Sequence, residues 1–129
     1  MRWQEFEEEV RKICEAHDFT TKFRYVFKDE EGKSEIDVVA ERYGIVLCFD
    51  AKLYSASRYR VSQLKKEAEK HRERVERFSA VTGKKAVPVI VSFIDDLIRF
   101  HAGCIVVPYS SLNEFLGNLH YYLSEFGFL

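Results

Sequence analysis

Along residues 2–17 the apolar side chains fall at Trp3, Phe6, Val10, Ile13 and Cys14, with acids on the other faces. Steps of three and four repeat one helical face, so the segment is predicted as an amphipathic helix ending at His17-Asp18. From Phe23 to Phe27 the pattern alternates, as in a half-buried strand, and Lys28–Lys33 (KDEEGK) reads as a turn. "SEIDVVAERYGIVLCFDAK" holds two strand-like runs around Glu41-Arg42-Tyr43-Gly44, a hairpin with glycine in its loop. Residues 57–79 lack Gly and Pro and are predicted as a long helix. "KKAVPVIVSF" and "CIVVPY" are apolar strands, and Ser110 or Ser111 caps a last helix running to about Phe126.

The element order is αβββαββα. The helix between Lys52 and Ala86 permits a parallel crossover, whereas the hairpin is antiparallel. An α/β fold follows, a central mixed β-sheet flanked by helices, in a single domain over residues 1–129. In the long helix Val61, Leu64, Ala68, His71, Val75 and Phe78 form a packing seam. Docking on the sheet is the first expectation for it and dimerisation the second, with His71 a histidine at the core's edge.

The hairpin sets out the candidate chemistry. With residues 41–44 as the loop, Ala40 pairs with Ile45, Asp37 lies opposite Cys48 and Glu35 opposite Asp50. Ile36, Val38 and Ala40 then face one side, and Glu35, Asp37, Asp50 and Lys52 share the other. A change of one residue in the loop would turn Asp37 away. Like charges across a strand pair cost up to about 1 kcal/mol. Lys52 offsets part of that, and a hard divalent cation with a preference for oxygen, Mg²⁺ or Mn²⁺, would offset more. Asp50 closes the run Val46-Leu47-Cys48-Phe49, apolar on both faces, where a charge is costly unless it is used.

Composition narrows the function classes. At 47% hydrophobic and 32% charged the chain is a folded protein, and a net charge of −1 leaves no global basic field, so any nucleic-acid contact is local. Residues 57–79 carry a net +4 beside Tyr54 and Tyr59, which makes this segment the place to hold phosphates. Arg58 and Arg60, nearest the strand end, are the first candidates, and Lys65 the next. No apolar run reaches the roughly 20 residues of a membrane span, and the acidic N-terminus is unlike a signal peptide, so a cytoplasmic protein is expected. Cys14, Cys48 and Cys104 are spaced for neither a disulfide framework nor zinc, and His101-x-x-Cys104 alone cannot build a zinc site. Two Asn and two Gln against 41 charged residues lean towards a thermophile's composition. The apolar C-terminus, Tyr121-Tyr122 and Phe126–Leu129, packs on the core or on a second copy, so a homodimer is an open expectation. No G-x-x-x-x-G-K-[ST] occurs, so a P-loop ATPase is not expected.

F-E-E-E-V in the first helix, E-I-D at 35–37 and D-A-K at 50–52, followed by a helix, resemble the PD-(D/E)XK nuclease superfamily with its restriction-endonuclease-like fold. Archaeal Holliday junction resolvases and Mrr-like restriction enzymes look most similar, over nearly the whole chain. Ile36 departs from the family pattern, standing where its name has Pro. The resemblance implies a metal-dependent endodeoxyribonuclease, with Asp37 and Asp50 holding Mg²⁺ or Mn²⁺ and Glu7 as a further or water-bridged ligand, Glu8 being the alternative helix acid. It implies that Lys52 orients or deprotonates the attacking water and stabilises charge on the phosphate, and that Gln63 reaches back from the following helix. DNA is the expected partner, although RNA is not distinguished from it, because phosphate contacts do not read the sugar. The alternative is a catalytically inactive DNA-binding or oligomerisation module with the same fold.

Overall fold

The hairpin turns tighter than its sequence implies. In the computed structural model, which describes residues 1–53 and 58–129, Arg42 pairs with Ile45 and the loop is only Tyr43-Gly44. Both loop residues have positive φ (50° and 79°), the backbone that matches strand twist in a two-residue turn. The register is therefore two residues away from the expected one: Ala40 faces Leu47 and Val39 faces Cys48. Because side-chain direction repeats every two residues, a shift of two by itself turns no residue to the other face. The paired stretch ends at Val38–Phe49, so Asp37 and Asp50, not Glu35 and Asp50, directly adjoin its last pair.

Six strands form one mixed sheet in the order β1-β2-β3-β4-β6-β5. β1 (Thr20–Asp29), β2 (Gly32–Arg42) and β3 (Ile45–Lys52) are an antiparallel meander. The crossover helix α2 (Arg60–Thr82) returns the chain so that β4 (Ala86–Ser92) runs parallel to β3, and β6 (Cys104–Pro108) parallel to β4. The two-residue β5 (Phe100–His101) is an edge strand not foreseen from the pattern. Gly83 ends α2 in the left-handed conformation, with its N–H on the Ser79 carbonyl. Tyr54 and the predicted helix start at Ser57 lie outside the described residues.

Helices cover both faces. α1 (Trp3–Ala16), α3 (Leu112–Gly117) and α4 (Leu119–Glu125) bury Phe6, Val10, Leu112, Leu116 and Leu123 against Val38, Leu47, Phe49 and Val89. On the opposite face α2 docks through Leu64, Ala68, His71, Val75 and Phe78, while Val61 stays exposed. The predicted last helix is two short ones, broken at Asn118 (φ −123°), and Ser111 precedes it without a side-chain cap bond. Phe126 and Phe128 pack back on the core, and all three cysteines are buried free thiols. Among the described residues no helix is long and apolar enough to cross a membrane.

Two expected core assignments are corrected. Trp3 heads the apolar stripe of α1, yet it is 50% exposed, because the stripe overruns the sheet at the helix's first turn. Ile36 packs with Val39, Cys48 and Phe78 on the α2 side, not with Val38 and Ala40. Strict alternation cannot put residues 36 and 39 on one face, so β2 changes sides near Asp37. At the same point β1 carries Arg24 at φ 44°, and the paired positions pass from Phe23–Val38 to Tyr25–Ile36 with none between.

Candidate active site

That irregularity opens a cleft of about 540 Å³ between the start of α1, the kink in β1–β2, the end of β3 and the middle of α2. Glu7, Glu35, Asp37 and Asp50 line it together with Arg24, Lys52 and Arg74, and Trp3 stands at its wall. Asp50 is last in the buried run of β3 and 4% exposed. Asp37 Oδ2 accepts a hydrogen bond from Ala51 N–H at 3.0 Å, so the two expected acids do meet. Burial first, and the charge of Asp50 second, push the Asp37 carboxyl above the ordinary aspartate range. Glu35 is exposed at the rim.

Lys52 Nζ lies 3.2 Å from Asp50 Oδ2 and 3.3 Å from Glu67 Oε2. Burial works against its charge, but Asp50 and Glu67 together outweigh burial and the pKa is raised. Lys52 is therefore a resident cation at neutral pH. Arg74 Nη1 stands 3.9 Å from the same Asp50 oxygen. Behind it, His71 is buried with Nε2 2.8 Å from the Cys48 carbonyl oxygen and Nδ1 3.1 Å from Arg74 Nη1. A carbonyl only accepts and a guanidinium only donates, which leaves the imidazole neutral with its proton on Nε2. Burial pushes its pKa down to about 4, against the opposing pull of the Cys48 bond.

Glu7 is the helix acid that reaches the cleft. Glu8 pairs with Arg11 and takes no part in lining it. Glu7 is 4% exposed, and Arg24 Nη2 donates to its Oε1 at 3.2 Å. Burial, then the charge of Asp37, push its pKa up to about 7, with Arg24 pulling the other way. Asp37, Asp50 and Glu7 line one cleft, but among the described residues no three His, Cys, Asp or Glu side chains are grouped to hold a metal. Arg24 occupies Glu7 instead.

A divalent cation still fits what remains. Mg²⁺ commonly takes only one or two carboxylates, with water and substrate phosphate completing its shell. The buried Asp50 Oδ2 has no hydrogen bond of good geometry, only the Lys52 and Arg74 cations at 3.2 and 3.9 Å, so it is an oxygen able to take a further partner.

The helical candidates divide. Gln63 is exposed and does not line the cleft; Glu67, one turn further along α2, is the residue that meets Lys52. Arg60 is held by Asp96 through contacts of 2.6–2.9 Å, which fastens the start of α2 to the segment after β4. Arg58 is exposed and donates to the Tyr59 hydroxyl at 2.6 Å, and Lys65 is exposed on α2. Sequence reasoning missed Glu67, Arg74 and Arg24. The first two sit four residues before and three after His71, so the stripe through that histidine was the signal for them. Arg24 had none, because its direction depends on a left-handed backbone.

No protein-family model matches the chain. An uncharacterized protein of Archaeoglobus fulgidus is 81% identical over 129 residues, the full length of both chains. Among solved structures, that of AF1548, a protein of unknown function, is similar with a TM-score of 0.58 at 18% identity, covering 95% of this chain and 78% of the other. At that identity the likeness is one of fold alone. Protein VC1899 from Vibrio cholerae gives a TM-score of 0.48 at 13% identity, with 94% of this chain against 33% of its own.

Proposed function

The chain belongs to one family with the uncharacterized Archaeoglobus fulgidus protein, and we propose that it is a divalent-metal-dependent nuclease that hydrolyses DNA phosphodiester bonds as an endonuclease. The observation that carries this reading is the meeting of Asp37 and Asp50 with Lys52 at one end of β3. The motif order that resembles PD-(D/E)XK nucleases supports it from the sequence side.

Asp37 and Asp50 are the residues to hold Mg²⁺ or Mn²⁺. When bound, such an ion supplies Lewis acidity to a phosphoryl oxygen and a more acidic water. Lys52, kept cationic by Asp50 and Glu67, faces the charge that grows on the phosphate, so of its two expected roles electrostatic stabilisation is favoured over proton abstraction. Arg74, braced by His71, adds a second cation on the same side. Glu7, with a pKa near neutrality, holds or releases a proton at the cleft wall without needing to bind metal.

The test is nicking of supercoiled plasmid with Mg²⁺ or Mn²⁺ beside Asp50→Ala and Lys52→Ala. Cutting by the wild type and its loss in both variants is the expected result. Equal cutting by all three would sink the assignment. No cutting under either metal would favour the inactive DNA-binding module.

A further inference from the structure

We infer that Trp3 and Arg24 form a stacking platform for one unpaired nucleobase at the mouth of the cleft, so that the site takes a single-stranded or splayed nucleotide beside the phosphate it cuts. The inference rests on the nuclease reading and names its substrate class. Trp3 is the sole tryptophan of the chain and half exposed, while Phe6, one turn on, is fully buried. Its indole is turned to the cleft that holds the acid pair. The Arg24 guanidinium carbon lies 5.2 Å from the indole ring centre, and the same guanidinium is anchored on the buried Glu7 at 3.2 Å. Ring and cation are thus held together, with the guanidinium over one face of the indole.

The backbone is bent to build it. Arg24 keeps φ at 44°, a conformation that side-chain-bearing residues avoid and that persists where the surroundings enforce it, often at ligand clamps. The interruption of the β1–β2 ladder at this residue is also where β2 changes sides at Asp37. The irregularity thus falls at both the platform's cation and a proposed metal ligand, and both line one cleft.

A nucleobase suits this surface better than other planar groups. Its face stacks on an indole whatever the base, and its phosphate then lies toward Lys52 and Arg74 in the same cleft. A base inside a duplex has both faces covered by its neighbours, so only an unpaired one can use Trp3.

Because Trp3 is the only tryptophan, its emission reads the platform directly. The full chain in EDTA is titrated with a labelled oligo(dT) strand and with a duplex of equal length, following tryptophan emission and the anisotropy of the label. Single strand is expected to quench Trp3 and to bind more tightly than duplex. Trp3→Ala should weaken single-strand binding roughly tenfold, and Trp3→Phe, which keeps an aromatic face, should restore most of it. Circular dichroism and the melting temperature of each variant establish that it is folded. Unchanged affinity in folded Trp3→Ala, binding without any change in emission, equal use of duplex, or no binding of the single strand would each overturn the platform. If Trp3 reports binding but neither Mg²⁺ nor Mn²⁺ supports cutting of the plasmid or of the single strand, the nuclease reading falls and the platform stands.

Discussion

The Asp37 carboxylate is bonded to the backbone N–H of Ala51, the residue between Asp50 and Lys52. One acid thereby holds the strand that carries the other, although its own ionisation is opposed by burial and by Asp50. Proximity of like charges is retained at a cost in stability, a common state of affairs in catalytic sites.

Asp37→Asn should therefore stabilise the metal-free protein while removing function. Asn keeps an oxygen for the Ala51 N–H and removes the repulsion, a gain of about 1–2 kcal/mol. Urea unfolding in EDTA measures it, and a destabilised variant would mean that Asp50 does not press on Asp37.

Mn²⁺ should raise the melting temperature. At one hundred times its dissociation constant the ion adds about 2.7 kcal/mol, which for a chain of this size is on the order of 10 °C. The shift should vanish in Asp50→Asn and weaken as the pH falls and protons compete for the carboxylates. A shift of the same size in the variant would place the ion elsewhere.

Glu7 gives the protein an alkaline weakness. Its folded pKa of about 7 stands above the ordinary 4.5, so its contribution is fully present below pH 4.5 and is lost as the pH rises through 7. Glu7→Gln, which cannot ionise, should gain on the wild type by about 1–3 kcal/mol between pH 5 and 8 in EDTA. A constant difference across that range would show Glu7 to be ordinary.

His71 acts in the other direction. Unfolded, it takes a proton near pH 6.5; folded, only near 4. Its contribution is present above 6.5 and falls away as the pH drops to 4, by up to about 3 kcal/mol. His71→Phe should flatten that acid limb, at a cost of about 2 kcal/mol at pH 7 for the unpaired Cys48 carbonyl and Arg74. An acid limb of wild-type depth in the variant would assign it to other groups.

The legible parts of this protein were those governed by period. Asp50 and Lys52 share a face because residues two apart on a strand must, and Asp37 kept its relation to them because the misplaced turn erred by an even number. What could not be read depends on broken periods or on where an element stops. Trp3 fits the stripe of α1, and nothing in the letters says that the stripe outruns the sheet. Ile36 and Arg24 take their directions from a backbone kink that no residue type announces. The break at Asn118 is equally silent, since no proline marks it.

The His71–Cys48 bond has a dynamic consequence. It runs from the middle of α2 to the main chain of β3, two residues before Asp50, and the helix residues on either side of it supply Glu67 and Arg74. Helix and strand are thus riveted at the point where each contributes to the cleft. Sliding of α2 along the sheet would strand a buried carbonyl and a buried imidazole at once, so small displacements are suppressed in favour of complete detachment. The two walls of the cleft should accordingly open as one cooperative unit, and amides around residues 48–52 and 67–74 should exchange with a common opening free energy.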